Sequence, residues 1–181
     1  MLKKMVAIRR LTTDYDNEYS ISRDRNLWNK LCSSMDVVED TESAIKSYLK
    51  RKELKDEGLK YLYLYGLLQA LYAQQIALNG ICESFGLPCI LNEPGLKQIR
   101  TDRNDSIGHP TDRHTGTYHY IVRVSIAKNG YELLSFDKQN KMTHRNISVL
   151  KLIVGQRKAV KNTLLRVEKK LNENLEKANK G

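Results

Sequence analysis

The side chains richest in chemistry crowd into one stretch, residues 100–113 (RTDRNDSIGHPTDR). Within it, Arg103 and Asn104 precede His109 by about a turn and a half of helix. An arginine can grip a phosphate through two parallel N–H bonds and stabilise charge that develops on it. A histidine can take or give the proton of a ribose hydroxyl. Asn104 can orient either group. The set suits phosphodiester chemistry, and the arrangement requires no metal. The alternative is structural: residues 103–106 form a solvated helix end and His109 caps it.

The elements that must position these groups can be read around them. Pro94 fits the first helical position, with Asn92 or Glu93 as cap. Leu96, Ile99, Arg103 and Ile107 recur at helical spacing and share a face. Arg103 therefore lies on an otherwise apolar stripe, where an unpaired guanidinium is costly, so a partner or a shared interface is expected. Gly108 reads as the residue just past the helix, and Pro110 disfavours helix at His109. His109 is thus expected at the helix C-terminus, where the dipole favours imidazolium.

Arg103-Asn104, four further residues and His109, with a Gly-His-Pro ending, resembles the signature of the HEPN superfamily. The resemblance implies a mainly α fold, a HEPN-like helical bundle that dimerises and sets two motifs beside each other in a shared cleft. It implies a metal-independent endoribonuclease without cofactor, of toxin–antitoxin, phage-defence or RNA-processing type. Catalysis would fall to Arg103, Asn104 and His109, with flanking phosphate contacts from Arg100 and Arg113. RNA, a second copy of the chain and an antitoxin or other protein are the implied partners. Members adenylylated on a tyrosine carry it two residues after the histidine; here that position is Thr111. Two other readings stand beside this one. One is a non-catalytic HEPN-like module that binds RNA, a nucleotide or a protein. The other is a helical interaction protein with no nucleic-acid role.

The chain has 181 residues, 40% hydrophobic and 29% charged, which suits one soluble domain with a good core. Its net charge of +10 favours an anionic partner, nucleic acid before a membrane surface. Cys32, Cys82 and Cys89 form neither a disulfide framework nor a metal-binding pair, which points to a reducing cytoplasm. The apolar run at the N-terminus is too short for a signal peptide, and no segment reaches membrane-spanning length. His109, His114 and His119 recur every fifth residue. That spacing does not stack them on a helix face, so no metal site is expected.

Residues 1–20 read as mixed, with a loop or helix start at residues 12–16. Helix is expected from about Ser22 to Lys50, continuous or broken near residues 40–42, and again from Asp56 to Phe85. The second of these is so broadly apolar that it needs partners on more than one side. Its tyrosines invite base stacking, but core or interface packing is the preferred reading. Gln74 and Gln75 are placed to turn a polar group toward Arg103 and His109. Alternation from Tyr118 to Ala127, an Asn129-Gly130 turn and a return strand to Asp137 give a β-hairpin insertion at about 117–137. A long helix over about 143–179 completes a single domain spanning 1–181.

Overall fold

The computed structural model describes residues 2–13, 24–108, 110–111 and 116–178. Among these, five α-helices surround a core, and a three-stranded antiparallel sheet closes one end. No helix among the described residues is long and apolar enough to cross a membrane.

Helix α1 spans Leu2–Thr13, where a mixed segment was expected. Its apolar signal is short, resting on Met5 and Ile8, which are buried, with Thr12 turned back onto its own backbone. Ion pairs from Lys4 to Glu168 and from Arg9 to Asp36 tie it to later parts of the chain. The helix is thus fixed by tertiary partners that a local pattern does not show.

Helix α2 covers Arg25–Lys50 without a break; Asp24 caps it by accepting from the Asn26 and Leu27 amides. Thr41 lies inside the helix because its hydroxyl donates to the Val37 carbonyl at 2.6 Å. Glu42 is buried and accepts from Arg157 at 2.8 Å. Helix α3, Glu57–Ser84, is capped by Asp56 and ends before Gly86, whose φ of 62° is the left-handed conformation glycine tolerates. Leu64, Leu68, Leu71, Leu78 and Cys82 make it the centre of the core. Helix α4, Pro94–Arg103, begins at its proline and runs into one wide π turn, Asn104–Gly108. Helix α5, Val149–Ala178, buries Leu152, Ile153, Val160, Leu164 and Val167.

The sheet departs from the expected hairpin. Strand β1, Tyr118–Ile121, is short; the chain then makes a 3-10 turn at Arg123–Ser125, leaving Val124 85% exposed. Ser125 ends the alternation by accepting from the Glu132 amide through its hydroxyl at 2.8 Å. Strand β2 runs Gly130–Phe136, so Gly130 belongs to a strand, not to a two-residue turn. A Cβ there would stand 2.5 Å from the Ile147 carbonyl oxygen, so this glycine permits close strand approach. The third strand, β3, Met142–Ser148, occupies residues expected to open the last helix. It pairs with β2 along its length, Gly130 opposite Ser148 and Phe136 opposite Met142. The tight turn is here, with Asn140 at φ 58° and the Asp137 carboxylate accepting from the Gln139 and Lys141 amides. A two-stranded hairpin is marginal by itself, and the third strand supplies the missing ladder.

Candidate functional site

Arg103 is the last residue of α4, and the wide turn after it brings its own neighbours around the side chain. Its Nη1 donates to the Asn104 side-chain oxygen at 2.9 Å and its Nη2 to Gln69 Oε1 at 2.7 Å. The guanidinium carbon lies 4.6 Å from the centre of the Tyr72 ring. Gly108 makes room for it: a Cβ at that position would come 2.5 Å from Arg103 Nη1. Gly108 has no positive φ, so space rather than backbone freedom is its use here. The partners of Arg103 are two amide oxygens and an aromatic face. Among the described residues it has no carboxylate, and its Nε is buried without a partner. The side chain is half-buried.

A second arginine takes the nearby acids. Arg145, on β3, reaches across to α4 and its wide turn, donating to Asp102 Oδ1 at 3.1 Å and to Asp105. Both carboxylates are more than nine-tenths buried. Burial raises the Asp102 pKa, against the lowering effect of the bond from Gln98 and of Arg145. Asp105 Oδ1 also lies 3.5 Å from His119 Nε2, while His119 Nδ1 shares a 2.7 Å hydrogen bond with Ser135. The order Ser135–His119–Asp105 is that of an activated nucleophile. Ser135, however, is buried on β2, which keeps a substrate from its hydroxyl. Ser106 completes the seam: its hydroxyl bonds the Asp102 carbonyl and the Tyr131 hydroxyl, at 2.7 and 2.6 Å. Burial raises the Tyr131 pKa above its ordinary value. The cluster thus holds the sheet against the end of α4, and with it the turn that sets Arg103.

The other expected site residues divide. His109 and Arg113 lie outside the described residues, between Gly108 and Pro110 and within 112–115. The Pro110 carbonyl accepts from the His119 amide at 2.7 Å, so the chain just past His109 is tied to β1. Arg100 turns inward, donating to Gln75 Oε1 at 2.9 Å and to the Leu91 carbonyl. Gln74 and Gln75 do not face Arg103. They are fully buried with Gln156, in a chain from Arg100 to Gln75, Gln156 and Gln74. Gln69, one turn earlier, is the glutamine that meets Arg103. Arg145, Tyr131 and Ser135 carry no motif; only the need of two inward carboxylates for a cation pointed to the first of them.

Gln69 and Tyr72 also line a groove of about 540 Å³ between α2 and α3, so Arg103 borders an open hollow. Among the described residues no three His, Cys, Asp or Glu side chains gather as metal ligands. No family model matches this chain, and neither a curated protein nor a solved structure matches it.

Proposed function

We propose that this chain is a metal-independent endoribonuclease of HEPN type, with a toxin or phage-defence role. Arg103 holds the scissile phosphate, Asn104 positions Arg103, and His109 exchanges protons with the ribose. The ribose 2′-oxygen bonds to phosphorus as His109 takes its proton. The bond to the 5′-oxygen breaks and that oxygen takes the proton back from His109, leaving a 2′,3′-cyclic phosphate and a 5′-hydroxyl. The observation that carries this reading is the uncompensated charge of Arg103. The chain provides Arg145 to neutralise Asp102 and Asp105 and leaves Arg103 on neutral oxygens and a ring. A guanidinium so held is oriented for an anion without being cancelled. The net charge of +10 draws the same partner, and Arg100 adds positive potential one turn earlier.

The test is cleavage of a mixed RNA pool in EDTA. The parent should cut. His109→Ala should lose at least about 100-fold, and Arg103→Lys a similar factor. Gly108→Ala is the sharper variant, since its methyl group displaces the Arg103 guanidinium while leaving the core untouched. It should fold normally and cut poorly. Equal cleavage by parent and His109→Ala would sink the assignment. One feature favours a binding module instead: both terminal nitrogens of Arg103 are already engaged. Retained RNA binding without cleavage would select that reading.

A further inference from the structure

The outer face of the sheet is apolar, where an antiparallel sheet with one face on a core is ordinarily polar. Its inner face packs on the helices through Tyr131, Leu133 and Ile147. The outward positions form two cross-strand rows, Tyr118–Phe136–Met142 and Tyr120–Leu134–His144. They stay open to solvent: Tyr118 is 44% exposed, Tyr120 55% and Met142 53%. Exposed apolar side chains gathered in this way mark a surface that meets something else. The rings of Tyr120 and Phe136 meet edge to face at 5.9 Å, which orients both without stacking one on the other. The one acid on this face, Glu132, is bonded to His144.

Rings set out in this way suit nucleobases, whose flat faces stack on tyrosine or phenylalanine. Tyr118 and Tyr120 lie about 7 Å apart along β1. That is about twice the rise between stacked bases, so each ring takes one base and the two bases are parted. A single strand can splay its bases like this; a duplex, with its bases already stacked on one another, cannot. The charges fit the phosphates of such a strand. Lys138 and Lys141 flank the Phe136–Met142 end of the first row, and neither ammonium has a carboxylate partner among the described residues. Lys138 lies across Gly116, where a Cβ would come 2.3 Å from its side chain, so it reaches back to the start of β1. The face also adjoins the candidate site. Between the two tyrosines, the His119 amide bonds the carbonyl of Pro110, the residue after His109.

We infer that this face is a stacking platform for single-stranded RNA, on which Tyr118 and Tyr120 each hold a base while Lys138 and Lys141 hold phosphates. The platform belongs to the inserted sheet, outside the helical bundle that the family resemblance implies. RNA as the strand rests on the ribonuclease reading; the platform is tested apart from it, with a strand that cannot be cut. A fluorescein-labelled 2′-O-methyl RNA of about 12 nucleotides lacks the attacking hydroxyl, and fluorescence anisotropy measures its affinity for the full chain. The parent should bind it, and should bind an abasic strand of the same length at least about tenfold more weakly. Tyr118→Ala combined with Tyr120→Ala should weaken binding of the RNA at least about 25-fold at every salt concentration, with the circular dichroism spectrum of the parent. Tyr120→Phe should bind as the parent does. Lys138→Gln with Lys141→Gln should instead flatten the salt dependence, by roughly 0.7 in log–log slope for each lysine. An abasic strand bound as tightly as the RNA, or a tyrosine double variant as tight as the parent, overturns the platform even if the parent cuts RNA. A parent that binds no strand at ~100 µM, the weak end of non-specific nucleic-acid binding, overturns it too and leaves the face to a protein. A parent that binds through its tyrosines but cuts no RNA keeps the platform and removes the nuclease reading.

Discussion

Two arginines near the end of α4 should respond in opposite ways to removal. Arg145→Met takes one cation from two carboxylates that are each more than nine-tenths buried. Breaking a buried pair in this way costs about 3–5 kcal/mol. Two features reduce the figure here. The Arg145 side chain is 36% exposed, so water already screens it. Asp102 also keeps its bond from Gln98 at 3.0 Å, and Asp105 keeps His119. The expected loss is therefore about 2–4 kcal/mol. Arg103→Met removes bonds to two neutral amide oxygens and a ring contact, leaves no buried charge behind, and should cost about 1 kcal/mol or less. Urea denaturation followed by circular dichroism measures both. A triple variant sharpens the test: adding Asp102→Asn and Asp105→Asn to Arg145→Met should recover part of the loss, because the stranded charges are gone. If Arg145→Met is as mild as Arg103→Met, the seam is not what holds the sheet to α4. If Arg103→Met is the costlier, Arg103 is a structural residue and the case for its free charge fails.

The buried glutamine chain makes a second prediction. Gln156→Leu strands the Gln75 amide and the Gln74 oxygen in a fully buried site, and should cost about 2–4 kcal/mol in the same denaturation assay. Tyr131→Phe removes one bond to Ser106, which keeps its bond to the Asp102 carbonyl, so the loss should be only about 1 kcal/mol at neutral pH. Because the folded pKa of Tyr131 is raised, its contribution is complete below about pH 10, the ordinary tyrosine value, and is lost above it. The gap between parent and Tyr131→Phe should therefore narrow in alkali; a gap that widens refutes the placement. Asp102 is likewise raised, so the folded state holds its proton more tightly than the unfolded chain does. The stability of the parent relative to Asp102→Asn should fall as pH rises from about 4, the ordinary carboxylate value, through the raised one. Urea midpoints from pH 4 to 7 would show it, and a relative stability that rises with pH would contradict the burial.

What could be read from the chain alone depended on how local the cause was. Helix α3 follows from its caps, Asp56 and Gly86, and from an apolar stripe many turns long; expected and observed limits differ by a residue at each end. Helix α2 needed only the knowledge that Glu42 has a distant partner, since an inward glutamate otherwise looks like a break. Strand β3 was hidden for a different reason. Residues 142–148 bury only Ile147, so neither period is visible in them, and their structure comes from the edge of β2. Asn129-Gly130 misled because a glycine serves equally as a turn residue and as a gap for a neighbouring strand. Only the Ile147 carbonyl decides which.

The same distinction governs the site. A stripe made of Leu96, Ile99, Arg103 and Ile107 required that Arg103 find a partner, and it does, but the nature of the partner carries the functional meaning. Had it been a carboxylate, the arginine would be a strut. Amide oxygens from Gln69 and Asn104 satisfy donors without cancelling charge. Asp102 and Asp105 lie three residues apart on the side facing the sheet, not on the side of Arg103. They are claimed by Arg145, forty residues away on a strand that local patterning assigned to a helix. Strand β3, in the sheet inserted after the motif, therefore supplies the cation that pairs with both acids, and Arg103 is left to its amide oxygens. A variant that unseats β3, such as Gly130→Val, which drives a side chain into the Ile147 carbonyl, should release Asp102 and Asp105 from Arg145. On the proposed function, it should then abolish RNA binding at salt concentrations at which the parent is expected to bind, with α2 and α3 still folded by circular dichroism. Unchanged binding would mean that the charge of Arg103 does not depend on the sheet.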